Sequence, residues 1–206
     1  MKITDIEPQK RKKARVNLYL DGQFYCGLAT ELVFKHHLEI GDEVGEKNLE
    51  NLLFEDQGEK AYGKALFFLN FRPRSRKEVH DKLVEKEFDG KIIELVLARL
   101  EKNGFLNDLE FAKSWIRDKK QVSPQGKYRI SRELGQKGVE KEVIDAAFLS
   151  EFQENDELEM ALALGKKKLA LYKNLPKREK NDKISAALAR RGFSWDVIKK
   201  VLLELE

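Results

Sequence analysis

The sequence of 206 residues predicts a mostly α-helical fold, in which three tandem three-helix repeats follow a small N-terminal unit that contains a β-hairpin. Two observations predict the repeats. Apolar residues recur at fixed offsets from three leucines about fifty residues apart, and a proline lies ten to twelve residues before each leucine. A third observation, an Asp-Gly pair between two short apolar segments, predicts the hairpin.

The repeats are aligned on Leu83, Leu134 and Leu188, which we take as offset zero. Apolar residues at offsets +5, +10 and +14 are weak evidence for a repeat on their own, because any amphipathic helix is apolar at such spacings. A preceding proline and a glycine at offset +4 are harder to obtain by chance, since proline starts helices and glycine ends them. The matching residues are Pro73, Phe88, Ile93 and Leu97; Pro124, Gly138, Val139, Ile144 and Phe148; and Pro176, Gly192, Phe193, Ile198 and Leu202.

Residues 1–45 are predicted to form the β-rich unit. Asp21-Gly22 lies between the segments 16–20 and 23–28, and such a pair favours a two-residue hairpin turn. Residues 3–7 are expected to add a third strand. The segment 10–15 carries five positive charges in six residues, which fits either a solvated loop between strands or a phosphate-contacting patch.

The remaining chain is predicted to hold a linking helix over 46–54 and then the repeats, of which the first begins with a helix over 56–70. Ser75 and Glu78 have the spacing of a capping box at the start of the second helix. The residues expected to cap the first helices of the two later repeats are Asn107 or Asp108, and Asn155. The predicted segments are 46–106 for the linker helix and repeat one, 107–153 for repeat two and 154–206 for repeat three.

The composition excludes several classes of function. The single cysteine, Cys26, rules out an internal disulfide framework, and the three histidines offer no zinc-ligand spacing. The sequence contains no phosphate-binding loop and no nucleophile elbow, so we expect neither an enzyme nor a cofactor. No apolar stretch approaches the length of a membrane span, and the N-terminus lacks the apolar core of a signal peptide, so we expect a cytoplasmic protein.

Basic residues cluster around the proline of every repeat. The chain has 40 basic and 36 acidic residues and a pI of about 8.9, which permits nucleic-acid binding without indicating it. A single run of charges is usually a solvated face. Recurrence of basic clusters around the proline of every repeat favours a function, because regularly stacked repeats would align the clusters into a stripe. The candidate partner-binding or DNA-binding residues are Arg72, Arg74 and Arg76; Lys119, Lys120, Lys127, Arg129 and Arg132; and Lys173, Lys177 and Arg178.

Any contact with nucleic acid is expected to involve the phosphate backbone rather than base edges. About six phosphate contacts would make the logarithm of affinity fall with the logarithm of salt concentration with a slope of about −4 to −5. Trp115 and Tyr128 offer rings for base stacking. Trp115 lies at helical spacing from Phe111, which favours a place in the core, whereas for Tyr128 both interpretations stay open.

Four motifs occur in a fixed order between about residue 60 and residue 206. They are Arg72-Pro-Arg-Ser75; Gly104-Phe-Leu-Asn-Asp108 leading to Phe111-Ala112 and Trp115; Glu133-Leu-Gly-Gln-Lys-Gly138; and Arg190-Arg-Gly-Phe193. In order and spacing they resemble the RecX family of regulators of the bacterial RecA recombinase, and the N-terminal unit resembles an extension found in some Gram-positive members. Glu87 departs from the pattern, because the other two repeats have glycine there, which leaves open whether the helix before it ends near Glu87 or at Gly90.

The resemblance implies an elongated, curved array of three three-helix units that lies against the filament of RecA on single-stranded DNA. It implies inhibition of ATP hydrolysis and strand exchange, by capping or destabilising the filament, and thereby a role in DNA repair and recombination. The implied partners are the RecA filament and single-stranded DNA, bound weakly and without sequence preference, and the protein is expected to be a monomer. Two alternatives stay open: a stand-alone DNA-binding module that docks like a helix-turn-helix, and a scaffold that binds only protein.

Overall fold

The computed structural model describes residues 1–10, 14–172 and 174–205. This part of the chain contains a three-stranded sheet and ten α-helices, which confirms a mostly α-helical fold of three tandem three-helix repeats preceded by a β-hairpin unit. The strands are β1 (Ile3–Pro8), β2 (Arg15–Leu20) and β3 (Gln23–Ala29). The helices are α1 (Thr30–Lys35), α2 (Glu46–Leu69), α3 (Arg76–Glu85), α4 (Gly90–Lys102), α5 (Asp108–Gln121), α6 (Lys127–Gln136), α7 (Lys141–Glu151), α8 (Asp156–Leu171), α9 (Lys177–Arg190) and α10 (Trp195–Glu204).

The chain divides into two compact units. Unit one contains Met1–Phe71 and His80–Asn103, and unit two contains Arg72–Val79 and Gly104–Glu206. Helix α3 therefore contributes its first turn to unit two and its remainder to unit one. Unit one also holds the sheet with α1, α2 and α4, whereas unit two holds α5 to α10, which form repeats two and three.

In unit one, the sheet packs on helix α2. The strands are antiparallel in the order β1-β2-β3. The predicted hairpin turn has positive φ at both central residues, 51° at Asp21 and 80° at Gly22, as a type I′ turn requires. Leu18 and Leu28 of the sheet and Leu49 of the helix are buried in one apolar cluster, so the small sheet is stabilised by the helix on which it packs.

The linking helix and the first helix of repeat one form one continuous helix, α2, which corrects the prediction of two helices. Asp56, the first residue of the helix predicted over 56–70, is buried within α2. Its carboxylate accepts hydrogen bonds from both terminal nitrogens of Arg15, each at 3.0 Å, and from the Ala29 amide at 2.9 Å. The chain at 54–56 contains neither proline nor glycine, so nothing local interrupts the helix, and the acidic side chain serves a tertiary contact instead of a cap.

Two of the predicted helix caps in unit two are confirmed. The Glu78 amide donates to the Ser75 hydroxyl and the Ser75 amide donates to the Glu78 carboxylate, both at 3.2 Å, which confirms the capping box. Asn107 caps α5 by accepting hydrogen bonds from two amides of its first turn. Asn155 makes no side-chain cap on α8, because its backbone is already helical, with φ of −90° and ψ of −11°, whereas a capping residue is extended.

The second helix of every repeat ends in the same way. The amide at offset +5 donates to the carbonyl at offset zero, at 3.3, 3.1 and 3.3 Å in repeats one, two and three. The residue at offset +4 is left-handed in each case, with φ of 80° at Gly138 and Gly192 and 61° at Glu87. The end of α3 is therefore not shifted to Gly90, because Glu87 adopts the conformation that glycine has in the other two repeats.

Candidate nucleic-acid interface

Two joints between consecutive repeats lie in unit two, and they are built alike. In each, the residue at offset −8, at the start of one repeat's second helix, bonds to the carbonyl at offset +3, at the end of the next repeat's second helix. At the first joint the Ser75 hydroxyl donates to the Lys137 carbonyl at 2.6 Å. At the second joint the Gly126 amide donates to the Arg191 carbonyl at 2.9 Å. The proline segments therefore fasten one repeat to the next.

The glycine at offset +4 is required by this contact as well as by its backbone conformation. A Cβ atom on Gly138 would lie less than 3.0 Å from the side chain of Lys77, and one on Gly192 would lie less than 3.0 Å from the Cβ of Arg129. Because real Cβ atoms do not approach other atoms so closely, the two joints close only over a glycine. Repeat one is preceded by the β-rich unit and not by another repeat. Glu87 therefore has to adopt the left-handed backbone conformation but does not have to leave room for the side chain of a preceding repeat.

The first joint carries its own carboxylate. Glu78 accepts hydrogen bonds from Arg72 at 2.7 Å and Lys137 at 3.0 Å, and Arg74 lies 4.0 Å away. Burial tends to raise the pKa of the Glu78 carboxyl, but the hydrogen bonds from Arg72 and Lys137 outweigh it and hold the pKa at about 2. Two of the candidate phosphate-binding arginines, Arg72 and Arg74, are thus arranged around an internal anion.

Lys119 of α5 lies against an aromatic ring inside unit two. Its ammonium is 4.7 Å from the centre of the Trp115 ring, and the ammonium of Lys137 is 4.6 Å from the same centre. Lys119 also pairs with Glu133 at 3.6 Å. Trp115 packs against the apolar core of unit two, as its helical spacing from Phe111 predicted, and the two lysines cover its ring.

Lys120 and Lys127 are engaged in a similar way at Phe152. Their ammonium groups lie 5.4 and 4.9 Å from the centre of that ring. Lys120 also donates to the Glu151 carbonyl at 2.8 Å and pairs with Asp156. Three candidate lysines of repeat two, counting Lys119, therefore stabilise aromatic side chains of their own unit.

A cleft of about 380 Å³ opens at the second joint, between α6 and the end of α9. A neighbouring hollow of about 280 Å³ shares Arg129 and Arg190 with it. Tyr128, which is 73% exposed, lies at the rim of the cleft. The cations that line the two spaces are Arg129, Arg132, Arg190, Arg191, Lys167 and Lys168.

The charge of this cleft is strongly one-sided. Among the described residues that line the two spaces, Glu133 alone is acidic, and it accepts a hydrogen bond from Arg129 at 3.0 Å. Burial tends to raise the pKa of Glu133, but that hydrogen bond and the charge of Lys119 lower it below its usual range, so the carboxyl stays ionised. The surrounding cations outnumber it, and the cleft therefore favours an anion.

The other candidate residues have diverse surroundings. The backbone amide of Arg76 donates to Asp108 at 2.7 Å. Lys177 and Arg178, at the start of α9, are exposed. Lys173 and residues 11–13 of the basic N-terminal segment lie outside the described residues. The alignment of the three clusters into one stripe remains a prediction.

Sequence reasoning missed several residues of the cleft. Arg190 and Arg191 belong to one of the four motifs, but they lie at the end of α9, far from the proline of their repeat, around which the candidate cations were sought. A usable signal was the shared offset +3 of Lys137 and Arg191, which places a cation at the same point of both joints. Glu78 was recognised as a cap and not as the anion of the first joint.

The described residues lack two further kinds of feature. They contain no cluster of three or more histidine, cysteine, aspartate or glutamate side chains that would hold a metal ion. Within the same residues, none of the helices combines the length and the apolar character that a membrane span needs.

The fold and the site together define a class: tandem three-helix-repeat proteins whose repeat joints concentrate arginine and lysine. Four family models match the chain in order. They are the regulatory protein RecX N-terminal domain over residues 1–45 and the first, second and third RecX three-helix domains over residues 61–100, 107–147 and 155–202. The chain belongs to the RecX family.

Individual relatives cover nearly the whole chain. It is 36% identical over 203 residues to the regulatory protein RecX of Clostridioides difficile strain 630, which covers 98% of this chain and 95% of the relative. It is 33% identical to that of Bacillus subtilis strain 168, covering 99% and 77% of the two chains. A crystal structure of regulatory protein RecX matches with a TM-score of 0.79 at 30% identity, covering 97% of this chain and 98% of the other. RecX from Lactobacillus salivarius matches with a TM-score of 0.68 at 29% identity, covering 73% and 97%.

Proposed function

We propose that the protein is a non-catalytic regulator that binds the filament of RecA on single-stranded DNA and inhibits its ATP hydrolysis and strand exchange. The observation that carries this proposal is the match of all four segments of the chain to the RecX family, whose members the comparisons describe as regulatory proteins. The regulator would act as a monomer in the cytoplasm, and through RecA it would affect DNA repair and recombination.

The charge distribution supports a filament as the partner. A nucleoprotein filament is a polyanion, and exposed cations that form no internal ion pair can approach its phosphates at no cost in protein contacts. Arg132 and Arg178 are exposed and form no ion pair within the described part of the chain. The binding energy would come from several weak, sequence-independent contacts, and the RecA surface would add the specificity that bare DNA lacks.

An ATPase assay tests the proposal. RecA on single-stranded DNA is assayed with this protein added at increasing ratios, including ratios far below one per RecA monomer. We expect strong inhibition, and inhibition at the lowest ratios would identify capping of filament ends or propagated disassembly. Unchanged ATP hydrolysis at every ratio would refute the proposal that this protein regulates RecA.

The same samples separate the regulator from the alternative functions. A stand-alone groove-docking module should bind duplex DNA with a strong sequence preference and should not need RecA. A scaffold that binds only protein should not bind DNA, even at low salt. A filament regulator should bind bare DNA weakly and without sequence preference and should depend on RecA for tight binding.

A further inference from the structure

At one equivalent position the two joints carry opposite charges. At offset −5 the first joint has Glu78 and the second has Arg129. At offset +3, on the opposite side, the first joint has Lys137 and the second has Arg191. The first joint therefore has a carboxylate, Glu78, close to its cations. The second joint has a cation, Arg129, at the same offset.

The first joint shows what this architecture binds. Arg72, Arg74 and Lys137 are arranged around the Glu78 carboxylate, with the nearest nitrogens at 2.7 and 3.0 Å. A planar guanidinium and an ammonium that converge on two oxygens form the usual recognition geometry for carboxylate and phosphate alike. Glu78 therefore serves as the built-in anion of the first joint.

The second joint lacks the equivalent carboxylate. Of the cations around Glu78, only Lys137 has a cationic counterpart there, Arg191, because Ser123 and Gln125 replace Arg72 and Arg74. The other cations of the second joint come from α6 and the end of α9.

Arg129 donates to the Arg190 carbonyl across the joint at 2.7 Å, which brings both side chains to the cleft. The side chains of Arg132 and Arg190 form no ion pair within the described residues, and both line the cleft. Glu133 is already shared between Arg129 and Lys119. Several positive charges at this joint thus remain without a counter-ion from the protein.

We propose that the cleft at the second joint binds the backbone phosphates of single-stranded nucleic acid, in the role that the Glu78 carboxylate has at the first joint. The proposal rests on the proposed function and names the part of the surface that would contact the DNA. The residues that carry it are Arg129, Arg132, Arg190 and Arg191, with Tyr128 at the rim.

Two features favour a nucleic acid over an acidic protein segment. Tyr128 presents a ring that is 73% exposed beside the cleft, and a base next to a bound phosphate can stack on it. The cleft and the neighbouring hollow share Arg129 and Arg190, so a chain of regularly spaced anions can occupy both. A phosphodiester backbone is such a chain, and its flexible single-stranded form leaves bases free to reach the ring.

Removing the two unpaired arginines tests the site. Binding of fluorescein-labelled oligothymidylate is measured by anisotropy for the full chain and for the double variant Arg132→Ala, Arg190→Ala. We expect affinity to fall about 10- to 100-fold, and the magnitude of the salt slope to fall by about 1.4, since each lost contact to a single strand removes about 0.7. The matched control is Lys199→Ala, Lys200→Ala, which removes the same charge from exposed positions of α10 outside the cleft. Equal losses in both double variants would overturn the proposal.

A gain-of-binding variant tests the comparison between the joints. Glu78→Gln removes the built-in anion, and glutamine still suits the capping box, so the helix start is kept. Arg72 and Lys137 would then lose the carboxylate that they bind most closely, and the first joint should acquire affinity for the same oligonucleotide. We expect binding to tighten several-fold and the magnitude of the salt slope to rise by about 0.7 or more. Unchanged binding by a folded variant would contradict the equivalence of the two joints.

Further measurements separate this inference from the proposed function. If the Arg132→Ala, Arg190→Ala variant loses oligonucleotide binding but still inhibits RecA, the cleft assignment holds and inhibition acts through protein contacts. If the unaltered protein binds the oligonucleotide through the cleft but never inhibits RecA, the regulator proposal fails alone. If the variant keeps oligonucleotide binding but loses binding to polyglutamate, the cleft is a site for acidic protein and the phosphate assignment is wrong. Circular dichroism of each variant verifies that it is folded.

Discussion

Glu87 shows how a single residue reflects the position of its repeat in the chain. Its φ of 61° is unfavourable for a residue with a Cβ atom, by about 1–2 kcal/mol. Gly138 and Gly192 have the same conformation, but they also lie under the side chain of the preceding repeat, where no Cβ fits. Repeat one follows the β-rich unit, so glutamate is tolerated at Glu87 at the cost of backbone strain alone.

Substitutions at these positions should therefore have opposite effects. Glu87→Gly should raise the free energy of unfolding by about 0.5–1 kcal/mol, because the relief of strain exceeds the added freedom of the unfolded chain. Gly192→Ala should lower it by about 2–4 kcal/mol, because backbone strain and overlap with Arg129 add. Urea unfolding followed by circular dichroism measures both. A destabilised Glu87→Gly variant would contradict the strain at this position.

At the scale of helices, the sequence predicted what short-range chemistry determines. The capping box of Ser75 and Glu78 and the glycine ends of α6 and α9 depend on residues a few positions apart, and the structure confirms them. The sequence predicted a break before Asp56, whereas the helix is continuous there and the Asp56 side chain binds Arg15, which lies 41 residues away. The charge of the first joint was likewise missed, since Lys137 is 59 residues from Glu78. Such pairings depend on tertiary structure, which periodicity does not encode.

The contact of Asp56 with Arg15 makes a prediction for helix α2 and the sheet. Asp56→Ala leaves the Arg15 guanidinium, only 16% exposed, without its carboxylate, and should destabilise unit one by about 3–5 kcal/mol. Cys26 reports on the same region, because burial and then the Asp56 charge raise the pKa of its thiol to about 11. The variant should therefore react faster with a thiol reagent at constant pH.

A matched control for this prediction is Glu50→Ala, which removes an exposed carboxylate from the same helix. It should leave both the stability and the thiol reactivity of Cys26 near those of the unaltered protein. Equal reaction rates for Asp56→Ala and Glu50→Ala would show that the buried ion pair does not hold the sheet on α2.

At the scale of the whole molecule, the candidate cations form two groups with different roles. Arg72 and Arg74 surround Glu78, and Lys119, Lys120 and Lys127 lie over aromatic rings, so these side chains stabilise the protein itself. Arg132 and Arg178 form a second group, because they are exposed and make no ion pair within the described residues. Arg129 has both roles, since it pairs with Glu133 and also lines the cleft. Recurrence of charge around the repeat prolines is therefore partly a structural device, and Arg132 and Arg178 can meet a polyanion without breaking an internal ion pair.

Two double variants that remove equal charge distinguish the groups. Arg132→Ala, Arg178→Ala should lower the magnitude of the salt slope for single-stranded DNA by about 1.4 and weaken RecA inhibition, because both side chains are available for phosphate contacts. Arg72→Ala, Arg74→Ala should change the slope much less and should instead lower the thermal midpoint, because Glu78 loses two of its cations in a partly buried setting. Salt titrations, melting curves and ATPase assays on the same preparations give the three readouts. Equal losses of slope in both variants, at unchanged midpoints, would mean that the internal carboxylate does not withhold Arg72 and Arg74 from the filament.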